Sequence, residues 1–365
     1  MIKTSEFYNT LIENGIDSFY GVPDSLLKDF CAYIADNVAY EKNVITANEG
    51  NALAMAAGHY LVTQKPAVVY MQNSGLGNIV NPLLSLTDEE VYAIPVLLVI
   101  GWRGEPNVHD EPQHIKQGKL TLPLLEVMGI RYEILDSAAQ VPLAFEYMRE
   151  TGKPFALIVR KGTFSAYSYK VRHNESEFVR EDAVKMVLSL LGKRDIVVST
   201  TGMISRELYE NRSSHEKDFL TVGSMGHASS IAFGIALERE NRKVFCFDGD
   251  GAFLMHMGAG AVIASRKLKN FRHIVFNNAA HDSVGSQPTV AGKIDLPKIA
   301  AGSGYIKTFS VRTSDELKSV WTDFYEINGP SLLEIKVKCG ARENLGRPKE
   351  KPVENKNAFM AFLKD

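Results

Sequence analysis

Residues 244 to 278 spell a strand, a glycine-acid turn, a helix-length segment and a second strand, an order that commits the chain to a parallel sheet with its crossovers packed on the faces. Val244-Phe245-Cys246-Phe247 is a β-branched and aromatic run, and it closes in Asp248-Gly249-Asp250-Gly251. Apolar residues recur at helical spacing from Ala252 to Lys267. Arg272-His273-Ile274-Val275-Phe276 then delivers Asn277 and Asn278 to the same sheet edge, so Asp250 and the asparagines can meet. Glycines let backbone amides approach an anion, and a helix start after Gly251 favours negative charge. One carboxylate with amide and carbonyl oxygens suits octahedral Mg²⁺. The combination calls for a diphosphate held through a metal. A Gly-Asp-Gly turn alone is ordinary punctuation; the asparagine pair one helix later separates this segment from a plain turn.

Strand and helix signals alternate along both halves. Strands are predicted near Ser18–Gly21, Ala67–Gln72, Val96–Ile100, Tyr132–Leu135 and Phe155–Val159, and again near Asp195–Thr200, Phe219–Val222, Val244–Phe247, His273–Asn277, Lys307–Val311 and Leu332–Val337. The polar run Ser165 to Glu177 reads as a linker, with the boundary around 170 to 178. The expected class is α/β: two doubly wound parallel-sheet domains, 1–170 and 179–365, with no third domain between them. A chain of 365 residues with 45% hydrophobic content can bury two cores of that size. A helix is expected from Glu49 through Leu61, and another from Leu26 to Ile34 with Asp24 or Ser25 as its cap.

Composition excludes several classes. Net charge is only −2, and there is no basic block with interleaved aromatics, so no nucleic-acid partner is expected. The longest apolar stretch, Val91 to Trp102, is short and broken by Pro95, and the N-terminus starts an amphipathic helix rather than a signal peptide; no membrane association is expected. Cys31, Cys246 and Cys339 form neither a metal pattern nor an even disulfide set, as in a reducing cytoplasm. Gly75-Leu76-Gly77 lacks the third glycine of a dinucleotide fingerprint, Val80 standing in its place, which discounts NAD.

Gly-Asp-Gly followed by Asn-Asn resembles the thiamine-diphosphate signature, and the chain is identified by it as a member of the thiamine-diphosphate-dependent 2-oxo-acid decarboxylases. The resemblance implies thiamine diphosphate and Mg²⁺ as cofactors, with Asp250, Asn278 and the Ala280 carbonyl as metal ligands and Asn277 as the alternative asparagine. It implies that Gly223 accepts a hydrogen bond from the cofactor's pyrimidine amino group, that Met225 wedges the cofactor in a bent conformation, and that Gly226, Gly249, Gly251 and Ala252 line the cradle. Glu49 is implied to hydrogen-bond the pyrimidine ring nitrogen. An isolated Glu there would simply favour the helix dipole, and Met225 would simply fill a core. Glu49 and the cage lie in different domains, which in this family pair head to tail across a subunit interface, so a homodimer or larger assembly is implied.

Without a third domain the resemblance narrows to compact decarboxylases of phosphonopyruvate or sulfopyruvate. Gly21-Val22-Pro23-Asp24-Ser25, Gln72 to Asn78, Gly101 to Pro106, Asp110 to His114, His281 to Gly285 with Pro288-Thr289, and Gly340 to Pro348 resemble the phosphonopyruvate decarboxylase family. The implied reaction converts 3-phosphonopyruvate to phosphonoacetaldehyde and CO₂, a step of phosphonate biosynthesis. Asp24, His114 and His281 are candidates for its proton transfers. Ser25, Asn73, Ser74, Arg103, Arg342 and Arg347 are candidates for holding the substrate, the two tail arginines against an equal case for a solvated basic tail. His256 reads as structural. Two alternatives stay open: a related lyase for sulfopyruvate or a plain 2-oxo acid, and a non-catalytic member that keeps the fold as an assembly module.

Overall fold

Strands with no polar alternation need cover on both faces, and this chain provides it twice. The computed structural model describes residues 1–167 and 176–364. The predicted linker and domain boundary fall largely on residues 168–175, outside the described residues. The chain divides into two compact units, Met1–Val171 and Arg172–Asp365.

The first unit contains β1 (Phe19–Gly21), β2 (Asn43–Ile45), β3 (Val68–Gln72), β4 (Leu97–Gly101), β5 (Arg131–Ile134) and β6 (Phe155–Val159), in a parallel sheet of order β2-β1-β3-β4-β6-β5. The second contains β7 (Ile196–Ser199), β8 (Asp218–Leu220), β9 (Val244–Gly249) and β10 (Phe271–Asn277). A small antiparallel hairpin of β11 (Ala280–His281) and β12 (Gln287–Pro288) follows, and β13 (Lys307–Val311) and β14 (Ser331–Lys336) complete the unit. Its parallel sheet runs β8-β7-β9-β10-β14-β13. Hairpin aside, both sheets share one order: the second strand lies outside the first, and the third returns to the first strand's other side. That return makes a switch point between β1 and β3, and another between β7 and β9, and open α/β sheets bind ligands outside the strand ends at such points.

Strand alternation sorts the core. Along β9, Phe245 and Phe247 pack on one face with Trp321 and Phe324, while Val244 and Cys246 pack on the other with Ala232, Ile263 and Leu332. The Phe245 and Trp321 rings stack at 6.1 Å. The sheet edge at β8 is covered rather than left open. Asn355, on the C-terminal helix Pro352–Phe362, accepts from the Leu220 amide at 3.1 Å and donates to the Asp218 carbonyl at 2.8 Å, pairing backbone groups a bare edge would leave exposed.

All eleven predicted strands are present within a few residues. The prediction missed β2, whose three residues are only half-buried, and the hairpin, whose strands are two residues each. The expected helix Ala252–Lys267 is corrected to two: Asp250–Met255, ended by His256 at φ −132°, and Gly258–Ser265. The break falls at His256 and Met257, which the apolar pattern alone does not reveal. The helix after β1 begins at Lys28, not Leu26, because Asp24 first folds a turn, its carboxylate accepting from the Leu26 amide and its carbonyl from Leu27. Neither Asp24 nor Ser25 caps that helix. Among the described residues no helix is long and apolar enough to cross a membrane, and the three cysteines are free.

Replacing Asn355 by Ala should uncover two backbone groups of β8 and lower unfolding free energy by about 1–2 kcal/mol. Urea denaturation of the variant measures this, and an unchanged midpoint would remove Asn355 as the edge's cover.

Candidate active site

In the first unit the polar residues gather where β1, β3 and β4 end. Asp24 is fully buried, accepting from Gln72 Nε2 at 2.6 Å and the Leu26 amide at 2.8 Å. Burial outweighs these hydrogen bonds and raises its pKa above the usual carboxylate range. Gln72 in turn accepts from the exposed Ser74 hydroxyl at 2.7 Å, so Ser74, Gln72 and Asp24 form one chain. Gln72 was not singled out from the sequence.

Arg103 follows β4. Its Nε donates to Asp110 Oδ2 at 2.8 Å, Nη2 to Asp110 Oδ1 and Nη1 to Ser25 at 2.8 Å. Burial opposes ionisation of Asp110, yet hydrogen bonds from Arg103 and the amides of Glu111 and Gly104 hold its carboxyl well below the usual range. Three of the guanidinium's five N–H groups are thereby engaged, leaving one on each terminal nitrogen. Asn73, expected at the substrate, braces the Arg103 backbone. Its amide donates to the Arg103 carbonyl and to Thr121, both at 2.8 Å, and its carbonyl accepts from the Arg103 amide at 3.1 Å.

Glu49 opens the helix Glu49–Thr63, whose N-cap Asn48 accepts from the Asn51 amide. The Glu49 carboxylate is buried and accepts from Asn78 at 2.6 Å. Its other oxygen rests on Gly75, where a Cβ would come within 2.5 Å, so any larger residue would push the carboxylate aside. His114 sits half-buried in the first turn of the helix Pro112–Val127.

In the second unit four loops converge at the ends of β7, β8, β9 and β10. Asp250 begins its helix fully inside the protein and accepts a short hydrogen bond from Thr289, whose residue type alone does not mark it as part of the site. Burial pushes its pKa up to about 7 against that hydrogen bond. His281 lies with Nδ1 2.8 Å, and Met225 with its methyl 3.5 Å, from where a Cβ on Gly251 would stand; glycine is what lets them close on the turn. Burial pushes His281 down to about 4, partly offset by Asp282, so its imidazole is neutral. Gly226, at φ +83°, packs against the carbonyl of Ala252, and Gly249 precedes the turn at the end of β9. Gly223 is half-buried next to Val222, whose carbonyl accepts from Thr201 at 2.9 Å.

The two asparagines part ways. Asn277 donates to Glu334 on β14 at 2.7 Å, whereas Asn278 donates to Asp282 at 2.7 Å, inside the loop that carries His281. Ala279, which follows the pair, is held in the left-handed region at φ +55° by Asn277 Oδ1 on its amide and the Thr289 amide on its carbonyl, both at 2.9 Å. Opposite Ala280 in the hairpin is Pro288, which has no N–H to give its carbonyl. Asp282 is anchored from beneath by Arg180, at 2.7 Å. Arg180 also forms a two-pronged pair with Glu207, at 2.9 and 3.0 Å. Burial opposes a charge there, yet Glu207 and Asp282 together raise the guanidinium's pKa. No sequence signal pointed to Arg180, which lies more than 90 residues from the loop it supports.

Arg342 pairs with Glu181 at 2.9 Å and with Glu210, contacts that tie the tail to its own unit. Arg347 is exposed on that tail.

These residues fit a metal–diphosphate group. Asp250 is a buried carboxylate with no lysine or arginine beside it among the described residues, a charge that costs several kcal/mol unless a cation is supplied. Buried polar atoms of Thr200, Thr221 and Gln287 at the same edge have no partner among the described residues, although such groups are nearly always satisfied.

Comparison with known proteins agrees. Residues 4–122 match the thiamine pyrophosphate enzyme N-terminal TPP binding domain, and residues 199–335 match the C-terminal TPP binding domain. The chain is 32% identical to a phosphonopyruvate decarboxylase of Streptomyces viridochromogenes, covering all of this chain and 95% of that one. The chain belongs to the thiamine pyrophosphate enzymes. Two more of these enzymes are similar to it. A phosphonopyruvate decarboxylase of Streptomyces hygroscopicus is 32% identical over 99% of this chain and 94% of its own, and a sulfopyruvate decarboxylase of Methanosarcina acetivorans is 30% identical over 90% and 89%. The two matched TPP-binding segments fall one in each compact unit, on the two sheets of shared strand order.

Because the folded-state pKa of Asp250 is about 7 against an ordinary 3.8, the folded chain holds a proton the unfolded one has lost; stability falls as pH rises through that window. Asp250→Asn keeps the acceptor for Thr289 and removes the charge. Without metal or cofactor it should melt about 2–4 °C higher than wild type at pH 8, equivalent to roughly 1 kcal/mol, with the gap closing toward pH 4. Thermal melts across pH read this out, and parallel curves at all pH values would contradict it.

Proposed function

We propose that this chain is a thiamine-diphosphate-dependent carboxy-lyase that converts 3-phosphonopyruvate to phosphonoacetaldehyde and CO₂, with Mg²⁺ as its metal. The observation that carries the reading is identity along the whole chain, through both TPP-binding halves, with two phosphonopyruvate decarboxylases. Thiamine diphosphate, when bound, supplies a thiazolium that accepts the electron pair released as the carboxylate leaves.

The chain's own residues have separable tasks. Asp250, Asn278 and the Ala280 carbonyl hold the metal, and the cation repays the burial of Asp250. Gly223, Met225, Gly226, Gly249, Gly251 and Ala252 shape the cradle. Arg180 and Asp282 act through Asn278, fixing its amide so that its oxygen keeps one orientation. Glu49, steadied by Asn78 and seated on Gly75, handles the proton of the pyrimidine ring. Asp24, whose pKa burial raises, can keep and deliver a proton at the substrate, which removes the conflict between a carboxylate and a dianionic phosphonate. His281, neutral because burial lowers its pKa, and His114 serve the remaining proton transfers. Ser25, Ser74 and the two unengaged N–H groups of Arg103 bind the phosphonate.

Residues 1–170 form the pyrimidine-binding domain and 179–365 the diphosphate-binding domain. Two copies pair head to tail to bring Glu49 of one to the cage of the other, in a reducing compartment such as the cytoplasm. Side-by-side decarboxylation of phosphonopyruvate, sulfopyruvate and pyruvate tests the substrate; equal turnover of pyruvate refutes it, and a preference for sulfopyruvate moves the chain to that sister activity. Glu49→Ala should cut CO₂ release by about 10²- to 10⁴-fold while thiamine diphosphate still binds by calorimetry. Retained turnover would remove Glu49 from the mechanism.

A further inference from the structure

Gln287 is 1% exposed, and neither its Nε2 nor its Oε1 has a hydrogen-bond partner among the described residues. A buried carboxamide with both ends unmet is rare, because each end has lost its water and gained nothing in return. Three relations fix the direction in which it faces. Gln287 stands directly opposite His281 in the hairpin, and opposed residues of an antiparallel pair project from the same face. The His281 ring on that face lies against Gly251. Two residues on, Thr289 shares the face in extended backbone, and its hydroxyl donates to Asp250. The Gln287 carboxamide therefore looks toward the Asp250-Gly251 turn.

The ligand must supply an acceptor for Nε2 and a donor for Oε1. A 2-oxo acid bearing a carboxylate, a ketone and an ionised phosphonate offers acceptors only and would leave Oε1 orphaned. A diphosphate chelated to Mg²⁺ offers both, because Mg²⁺ keeps some of its waters when protein and phosphate oxygens bind it. We infer that Gln287 is a binding residue for the hydrated metal–diphosphate group, donating from Nε2 to a diphosphate oxygen and accepting at Oε1 from a water on the metal. This rests on the cofactor reading given above and adds to it a ligand contact outside the Asp-Asn signature.

Isothermal titration of the full-length protein with thiamine diphosphate in MgCl₂, alongside thermal melts of the cofactor-free form, tests it. Gln287→Leu preserves volume and removes both polar ends. Its affinity should fall by about ten- to a hundredfold, the worth of a hydrogen bond to a charged group, while its cofactor-free melting temperature holds or rises because an orphaned amide has gone. Gln287→Glu should bind more weakly still, since it trades the donor for a second negative charge. Either variant, folded, with affinity within twofold of wild type overturns the inference, as it would if an internal water satisfied Gln287. A lower cofactor-free melting temperature for Gln287→Leu also overturns it, by revealing a partner within the protein. If wild type itself does not bind thiamine diphosphate, the failure lies with the functional reading, so the two are told apart.

Discussion

The second unit is organised around one electrostatic problem: the Asp250 carboxylate lies inside the protein with a hydroxyl, but no cation among the described residues, beside it. An acid so placed either takes up a proton or acquires a metal, and burial alone already pushes its pKa up to about 7. Much of the surrounding structure makes sense as a means of keeping it there. Gly251 leaves room for His281 and Met225 to close over the turn. The hairpin brings Thr289 back to the carboxylate, and the left-handed Ala279 bends the chain sharply enough after β10 for the hairpin to return. Such a residue costs of order 1–3 kcal/mol and persists only where its neighbours over-determine it, which two hydrogen bonds do here. Ser224 and Ser286, also in the left-handed region, lie in the same set of loops. Strain of this kind is expected where a fold holds a geometry for a ligand rather than for itself.

The two units solve different problems with one topology. Each sheet turns back after its second strand and opens a crevice at the ends of its first and third strands. In the first unit that crevice carries Asp24 after β1 and Gln72 at the end of β3, hydrogen-bonded to each other; in the second it carries Thr200 after β7 and Asp250 after β9. The strands beneath are interchangeable apolar runs, whereas the residue just past each strand end decides the chemistry. No sequence repeat accompanies this shared topology, because packing constrains only size and hydrophobicity and leaves identities free to differ.

That division explains what could be read from the chain alone. The strands were legible because buried parallel strands are continuous apolar runs, and the cage was legible because Gly-Asp-Gly and Asn-Asn are local in sequence. Helix continuity through His256 is not legible as broken, since apolar periodicity persists across the break at His256 and Met257. Arg180 and Glu207 were invisible for the opposite reason: each is an ordinary charged residue until the fold buries it, and Arg180 meets Asp282 across about a hundred residues. Arg342 and Asn73 looked like ligands for the same reason in reverse. Residue type advertised a binding group, but gave no sign of the partners distant in sequence, Glu181 and Glu210 for one and Thr121 for the other, that engage it in the fold.

The Arg103–Asp110 pair bears on how a first-unit edge of this composition can bind an anion at all. A lone guanidinium would attract a dianion most strongly, but on a mobile side chain it would lose orientation with every rotamer it sampled. Two-point attachment to Asp110, with Asn73 bracing the backbone, fixes the fork and cancels most of its long-range field. What remains is directional: two N–H groups and the Ser25 hydroxyl in fixed positions beside an Asp24 that burial inclines to stay protonated. As the proposed anion site, an edge built this way would distinguish ligands by where their oxygens sit more than by how much charge they carry. Such discrimination suits a protein that must choose among 2-oxo acids differing chiefly in the group at the far end.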